Sequence, residues 1–220
     1  MIKFFQKLKA KKGFTLVELI VVIAIIGVLA AILVPTMLGY VTSSRVTSAN
    51  STAASIKNNV DTFLTNADTN GYGMMQGSGV NDELDITITG SAWTCTAATT
   101  ANYKVDPTIT WGAGASAMTK DTSKVGITSA EELLCIELAQ LFPEIEQGSV
   151  HVVLNGGKCV AVAYTADVSS VMTAGTDFPA VAANAAGALE FTVPYAWDTK
   201  TAGVNTAGYI VGTAPTVELG

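Results

Sequence analysis

Hydrophobic positions are distributed very unevenly along the chain. From Phe14 to Pro35 every residue except Thr15, Glu18 and Gly27 is apolar, and Glu18 is the only charge in the run. A helix of about 20 apolar residues crosses the hydrocarbon core of a bilayer, so this run predicts a membrane-spanning helix over 14–38. Helical spacing then continues through Leu38, Val41, Ala49, Ala53, Ile56, Val60 and Phe63 or Leu64, with Ser and Thr on the other face. That pattern predicts a second half of the same helix over 39–67, laid by one stripe against a folded domain. A single helix from Phe14 to about Ala67 would be roughly 80 Å long at 1.5 Å per residue. Its second half is too rich in Ala, Ser and Thr for a regular coiled-coil seam. Thr69-Asn70-Gly71-Tyr72-Gly73 supplies the turn residues that stop it.

After residue 68 the text becomes irregular and strand-like. Residues 85–89 and 108–111 alternate as short strands do. Ser129-Ala130-Glu131-Glu132 reads as a capping box opening a helix near 130–142, which Pro143 ends. Leu134, Cys135, Leu138, Leu141 and Phe142 share one face of that helix. The clearest strand signal is the pair 149–154 and 159–164 around Asn155-Gly156-Gly157-Lys158, a hairpin turn. Further strands are expected at 189–193 and 209–211, ending near Val217. The segments are therefore 1–13, 14–38, 39–67, a helix-to-sheet connection over 68–147, and a sheet region over 148–220. The fold class is α+β, a long N-terminal helix packed on a C-terminal antiparallel β-sheet.

Charge adds an orientation. Lys3, Lys7, Lys9, Lys11 and Lys12 precede the apolar run, and the next basic residue is Arg45. Lys and Arg flanking a span mark its cytoplasmic side, so the N-terminus is expected inside and everything after Pro35 outside. Without the five leader lysines, seven basic residues face eighteen acidic ones, a net charge of −11. Such a surface repels phosphate backbones, and no nucleic-acid partner is expected. About 180 residues remain beyond the span, enough for one domain with its own core.

Gly13 lies between the basic leader and the apolar run, and no Ala-x-Ala site follows the run. A secretory signal peptide has the opposite order, a shorter apolar stretch followed by its small-residue cleavage site. Gly13-Phe14-Thr15-Leu16-Val17-Glu18 and the apolar residues up to Pro35 closely resemble the class III signal of type IV prepilins and pseudopilins. The resemblance covers about 35 of the 220 residues. It implies cleavage after Gly13 by a prepilin peptidase on the cytoplasmic side, and N-methylation of the new N-terminus at Phe14. It implies that Glu18 meets the N-terminal amine of a neighbouring subunit during assembly. Gly27 and Pro35 match positions between which pilin helices lose regular structure inside the filament. The implied partners are other copies of this chain and other pilins, the prepilin peptidase, the inner-membrane assembly platform and the membrane itself. The implied location is a single-pass plasma-membrane precursor, then an extracellular pilus.

The residues themselves agree with that implication. An intramembrane carboxylate is costly and marks function by default, and a buried charge is tolerated when it is paired. Cleavage after Gly13 creates an amine four residues before Glu18, so each subunit carries both halves of a reciprocal pair. A pseudopilin of a type II secretion or DNA-uptake system would share this chemistry, and a membrane-anchored binding domain is the more distant alternative. Catalytic constellations are absent: there is no Gly-rich phosphate loop, HExxH motif or nucleophile elbow. The single histidine, His151, sits between valines in a predicted strand, where a packed or surface role is expected. No enzyme activity, cofactor or metal is expected. Cys95, Cys135 and Cys159 make an odd set, which allows at most one internal disulfide. Cys135 and Cys159 are a candidate pair, Cys95 could replace either, and three reduced buried thiols are the plain alternative. The sequon Asn50-Ser51-Thr52 falls on the predicted helix and is discounted.

Overall fold

The computed structural model describes residues 14–69, 81–90, 92–97, 104–106, 109–110, 116–119, 130–155, 158–183, 189–192, 197 and 202–217. The first helix, α1, spans Leu16–Thr69, two residues longer at its end than the spacing predicts. It starts at Leu16 rather than Phe14 because Thr15 caps it. The chain divides into two units, Met1–Thr42 and Ser43–Gly220. In the first unit every described side chain up to Val41 is exposed. Leu38 and Val41 are among these, so the buried stripe of α1 begins at Val46.

In the second unit the strands are β1 (Asn81–Thr89), β2 (Ala92–Ala97), β3 (Lys104–Asp106), β4 (Ile109–Thr110) and β5 (Ser116–Thr119). Helix α2 (Ala130–Leu141) follows, then β6 (Gln147–Asn155), β7 (Lys158–Thr165), β8 (Val181–Ala183), β9 (Leu189–Phe191) and β10 (Gly212–Ala214). Six of them form one sheet in the order β10-β7-β6-β1-β2-β5, with antiparallel neighbours throughout. The α+β class is therefore as read from the sequence. The sheet is not confined to 148–220, however: β1, β2 and β5 come from the connecting region, and β1 pairs with β6 along nine positions.

Alternation explains how the sheet is covered on both faces. Leu84, Ile86 and Ile88 of β1 and Val150, Val152 and Leu154 of β6 meet Ala53, Ile56, Val60 and Leu64 of α1 in one core. Leu134, Cys135 and Leu138 of α2 join the same core. Val153, Ala161 and Ala163 point the other way and pack against Met172, Phe178 and Phe191 in a second core. A register shift between Val153 and Leu154 inserts one extra residue in β7, a bulge that lets Cys159 and Val162 face the same side.

Three sequence expectations are corrected by this packing. Leu141 is exposed although it lies on the expected apolar face of α2; burial passes instead to Phe142 and Ile145 as the chain leaves the helix. Residues 209–211 are not a strand. The last strand is Gly212–Ala214, because the backbone at Gly212 is where the chain comes onto α1. A Cβ there would collide with the backbone of Ala49, so a glycine is required. Residues 189–191 do form a strand, but it pairs with β8 in a separate two-stranded sheet. Ser129, Asn70 to Gly73, Trp111 and the Gly156-Gly157 turn lie outside the described residues.

Two polar side chains of α1 hold strand ends. Asn50 Oδ1 accepts from Thr213 N at 2.8 Å, and Asp61 Oδ1 accepts from Cys159 N at 2.6 Å. Each satisfies a backbone donor that would be costly to leave unpaired in a partly buried position. Asn50 is thus a structural acceptor.

Candidate functional site: the head of the apolar helix

The first turn of α1 is built from two residues that serve each other. Thr15 N donates to Glu18 Oε2 at 2.9 Å, and Thr15 Oγ1 donates to the same oxygen at 2.8 Å. In return Glu18 N donates to Thr15 Oγ1 at 3.2 Å. Leu19 N donates to Thr15 O at 3.2 Å, the first regular helical bond. This is a reciprocal capping box, Thr at the N-cap and Glu at the third helical position. It satisfies backbone donors that the first turn of any helix leaves without intrahelical partners. A carboxylate there also lies at the positive end of the helix dipole. The Thr-x-x-Glu spacing of residues 15–18 carries this signal in the sequence, but attention to Glu18 as an intersubunit group passes over it.

Phe14 stands just before the box and is 82% exposed. Gly13 lies outside the described residues. Gly27 has open space where a Cβ would stand, and Pro35 sits inside α1 without ending it. Pro lacks the N–H that would bond the carbonyl four residues back. Just beyond it, Thr36 Oγ1 donates to Leu33 O at 2.9 Å. In this single chain α1 is helical from Gly27 through Pro35.

By length and composition α1 carries one segment able to cross a membrane, and that segment has no buried share in the structure. Leu, Ile and Val side chains along it are each about half exposed or more. So large an apolar surface is not stable in water and requires lipid or protein around it.

The other candidate residues lie elsewhere. Cys135 and Cys159 are both buried and both free thiols in this structure. They occupy the same core as Cys95. Burial pushes the Cys159 thiol up, with the nearby Asp61 carboxylate adding to the effect. A thiol held protonated in this way is a poor nucleophile. Among the described residues no group of three His, Cys, Asp or Glu side chains could hold a metal ion.

His151 is packed rather than exposed. Its Nδ1 lies 2.8 Å from Asp85 Oδ1 across the β1–β6 ladder, and its Nε2 lies 3.6 Å from Glu83 Oε2. The ring rests on Phe178 with centroids 4.6 Å apart. This cluster fastens the sheet to the segment covering its second face.

A capped carboxylate thus heads the exposed apolar first half of α1. The family profile described as the prokaryotic N-terminal methylation motif matches residues 8–34. The chain therefore carries the class III signal found on type IV pilins, and the match brackets Gly13, Phe14 and Glu18.

Similar proteins extend the match. A "Fimbrial protein" of Pseudomonas aeruginosa is 50% identical over 50 residues, 23% of this chain and 32% of that protein. "Fimbrial protein Q" of Moraxella bovis is 39% identical over 83 residues, 38% of this chain and 52% of its own length. A "Type IV major alpha-pilin" of Moraxella bovis is 47% identical over 57 residues, 26% and 36% of the two chains. The matches thus span between about a third and a half of these relatives. No solved structure matches the chain.

Proposed function

We propose that this chain is a structural subunit of an extracellular type IV pilus. A prepilin peptidase cuts after Gly13 and N-methylates Phe14. The precursor spans the plasma membrane once, N-terminus inside and the Ser43–Gly220 unit outside. Subunits then leave the bilayer through the assembly platform and polymerise by packing their apolar helices together. The observation that carries this reading is the exposed apolar first half of α1, headed by Glu18, within the matched methylation motif. The apolar surface needs new neighbours when it leaves lipid, and neighbouring copies of the same helix supply them.

Glu18 supplies the register. Its carboxylate has no cation within the span; the nearest downstream basic residue is Arg45, 27 residues on. Cleavage removes the leader lysines, so the remaining cation is the amine of Phe14. That amine must belong to another copy to fix an axial offset between helices. Removing one partner of a buried ion pair typically costs about 3–5 kcal/mol, enough to stop addition of a subunit. Uncleaved precursor places a hydrated lysine-rich leader where the amine should dock, so processing switches assembly on.

The test is Glu18→Gln beside wild type, with surface filaments counted by electron microscopy and mature subunit measured by immunoblot and mass spectrometry. Insertion, cleavage and Phe14 methylation should persist while filaments disappear. Normal filaments at wild-type levels of mature protein would defeat the reading.

A further inference from the structure

We infer that Thr15 is a positioning residue for assembly, fixing the Glu18 carboxylate so that one oxygen serves its own helix and the other is offered outward. This rests on the assembly reading above and assigns it a second residue. The geometry is divided between the two oxygens. Glu18 Oε2 receives both donors of Thr15, its N–H at 2.9 Å and its hydroxyl at 2.8 Å. Among the described residues no hydrogen bond engages Oε1.

A free glutamate has three rotatable bonds, and ordering it on association would oppose binding. The reciprocal bond from Glu18 N to Thr15 Oγ1, at 3.2 Å, fixes the hydroxyl that in turn holds Glu18 Oε2, before any partner arrives. Neither partner of the box lies in the leader, so it can persist when the chain is cut after Gly13. It also keeps first-turn donors satisfied in hydrocarbon, where unsatisfied backbone groups are especially costly. The occupant of Oε1 is the ammonium of Phe14 on a second copy. One carboxylate then caps its own helix and accepts the neighbour's charge, with no change of rotamer between membrane and filament.

The hydroxyl is the element the inference needs. Thr15→Val keeps the shape and loses the hydroxyl; Thr15→Ser keeps the hydroxyl and loses only a methyl group. Full-length protein carrying each substitution, and Glu18→Ala for reference, is scored as filaments per mature subunit. Thr15→Val should be cleaved and methylated normally, yet lose filaments by about tenfold or more, the scale of one lost hydrogen bond to a charged group. Thr15→Ser should assemble within about twofold of wild type, because an Ser N-cap substitutes well for Thr.

Failure of the inference and failure of the assembly reading separate cleanly. If Glu18→Ala abolishes filaments while Thr15→Val assembles like wild type, Thr15 does not position Glu18 and only this inference falls. If Glu18→Ala itself assembles normally, the assembly reading falls with it. Equal loss in Thr15→Ser and Thr15→Val would show that the hydroxyl is irrelevant, and a block to cleavage in Thr15→Val would move the residue's role to the peptidase; either overturns the inference. A second readout addresses the bond directly. In detergent-solubilised full-length protein, the Thr15 amide should exchange with solvent at least about tenfold faster in Glu18→Ala than in wild type. Equal exchange rates would overturn the capping role.

Discussion

Replacing Gly212 by Ala tests the contact that joins the last strand to α1. Gly212 is buried, and a Cβ built on it falls on the carbonyl carbon and oxygen of Ala49 and close to Asn50 N. All three are helix backbone atoms, which cannot swing aside as a side chain would. Strand β10 must therefore either compress against α1 or lift away from it. Overpacking of this kind costs about 1–3 kcal/mol. Lifting instead breaks the 2.8 Å bond from Thr213 N to Asn50 Oδ1, and an orphaned buried donor costs about 1–3 kcal/mol. The two are alternative outcomes, so they do not add. Loss of glycine's unfolded-state freedom returns roughly 0.4–1 kcal/mol. The net expectation is a loss of about 0.5–2.5 kcal/mol, or about 1–10 °C in Tm for a domain of this size. Urea denaturation of the Ser43–Gly220 unit measures it as a lower midpoint at unchanged slope. Asn50→Ala removes the acceptor in the same contact, so its cost and that of Gly212→Ala should be less than additive in the double variant. A Gly212→Ala midpoint equal to wild type, or full additivity with Asn50→Ala, would refute the close approach.

Three further outcomes follow from the same packing. The fragment 43–220 should be folded and monomeric by circular dichroism and sedimentation, since it keeps the core and loses the apolar half of α1; filaments from it would contradict assembly through that helix. His151→Leu should cost about 2–3 kcal/mol in urea melts, because Asp85 loses the ring nitrogen at 2.8 Å. His151→Leu combined with Asp85→Leu should recover most of that loss, and no recovery would show that ring packing dominates. Cys159 should stay unreactive toward thiol reagents until the domain unfolds. Its folded-state pKa is raised by burial, so its contribution to stability is present below the unfolded thiol value of about 8.5 and declines as pH rises above it. Tyr164, also raised by burial, adds to the decline above its own ordinary value. Cys159→Ala should flatten the loss of denaturation midpoint between pH 8 and 10, roughly the interval set by ordinary thiol and phenol values; an unchanged slope would count against it.

The sequence by itself determined the features whose causes are local. Twenty-two residues from Phe14 to Pro35 with one charge specify an apolar helix, because hydropathy and helical geometry act over neighbouring residues. The basic leader, Gly13, Phe14 and Glu18 form a contiguous motif, so the signal at the head of the helix was legible without coordinates. The 149–164 hairpin and the helix near 130–142 were legible for the same reason: a turn pair and a 3.6-residue stripe announce themselves. Even the Thr15–Glu18 box was written in three-residue spacing.

Only the tertiary structure decided what depends on distant partners. Period-2 alternation in 85–89 suggests a strand but says nothing of its place, and β1 became central because its Leu84, Ile86 and Ile88 complete a core with α1 and β6. The strand at 212–214 carries no strong strand propensity; it exists because a glycine lets the chain lie on Ala49. Asp85 meets His151 across 66 positions of sequence, and Asn50 meets Thr213 across 163. Hydrogen bonds of that separation leave no periodic trace, since chain closure and packing, not neighbouring residues, bring their atoms together.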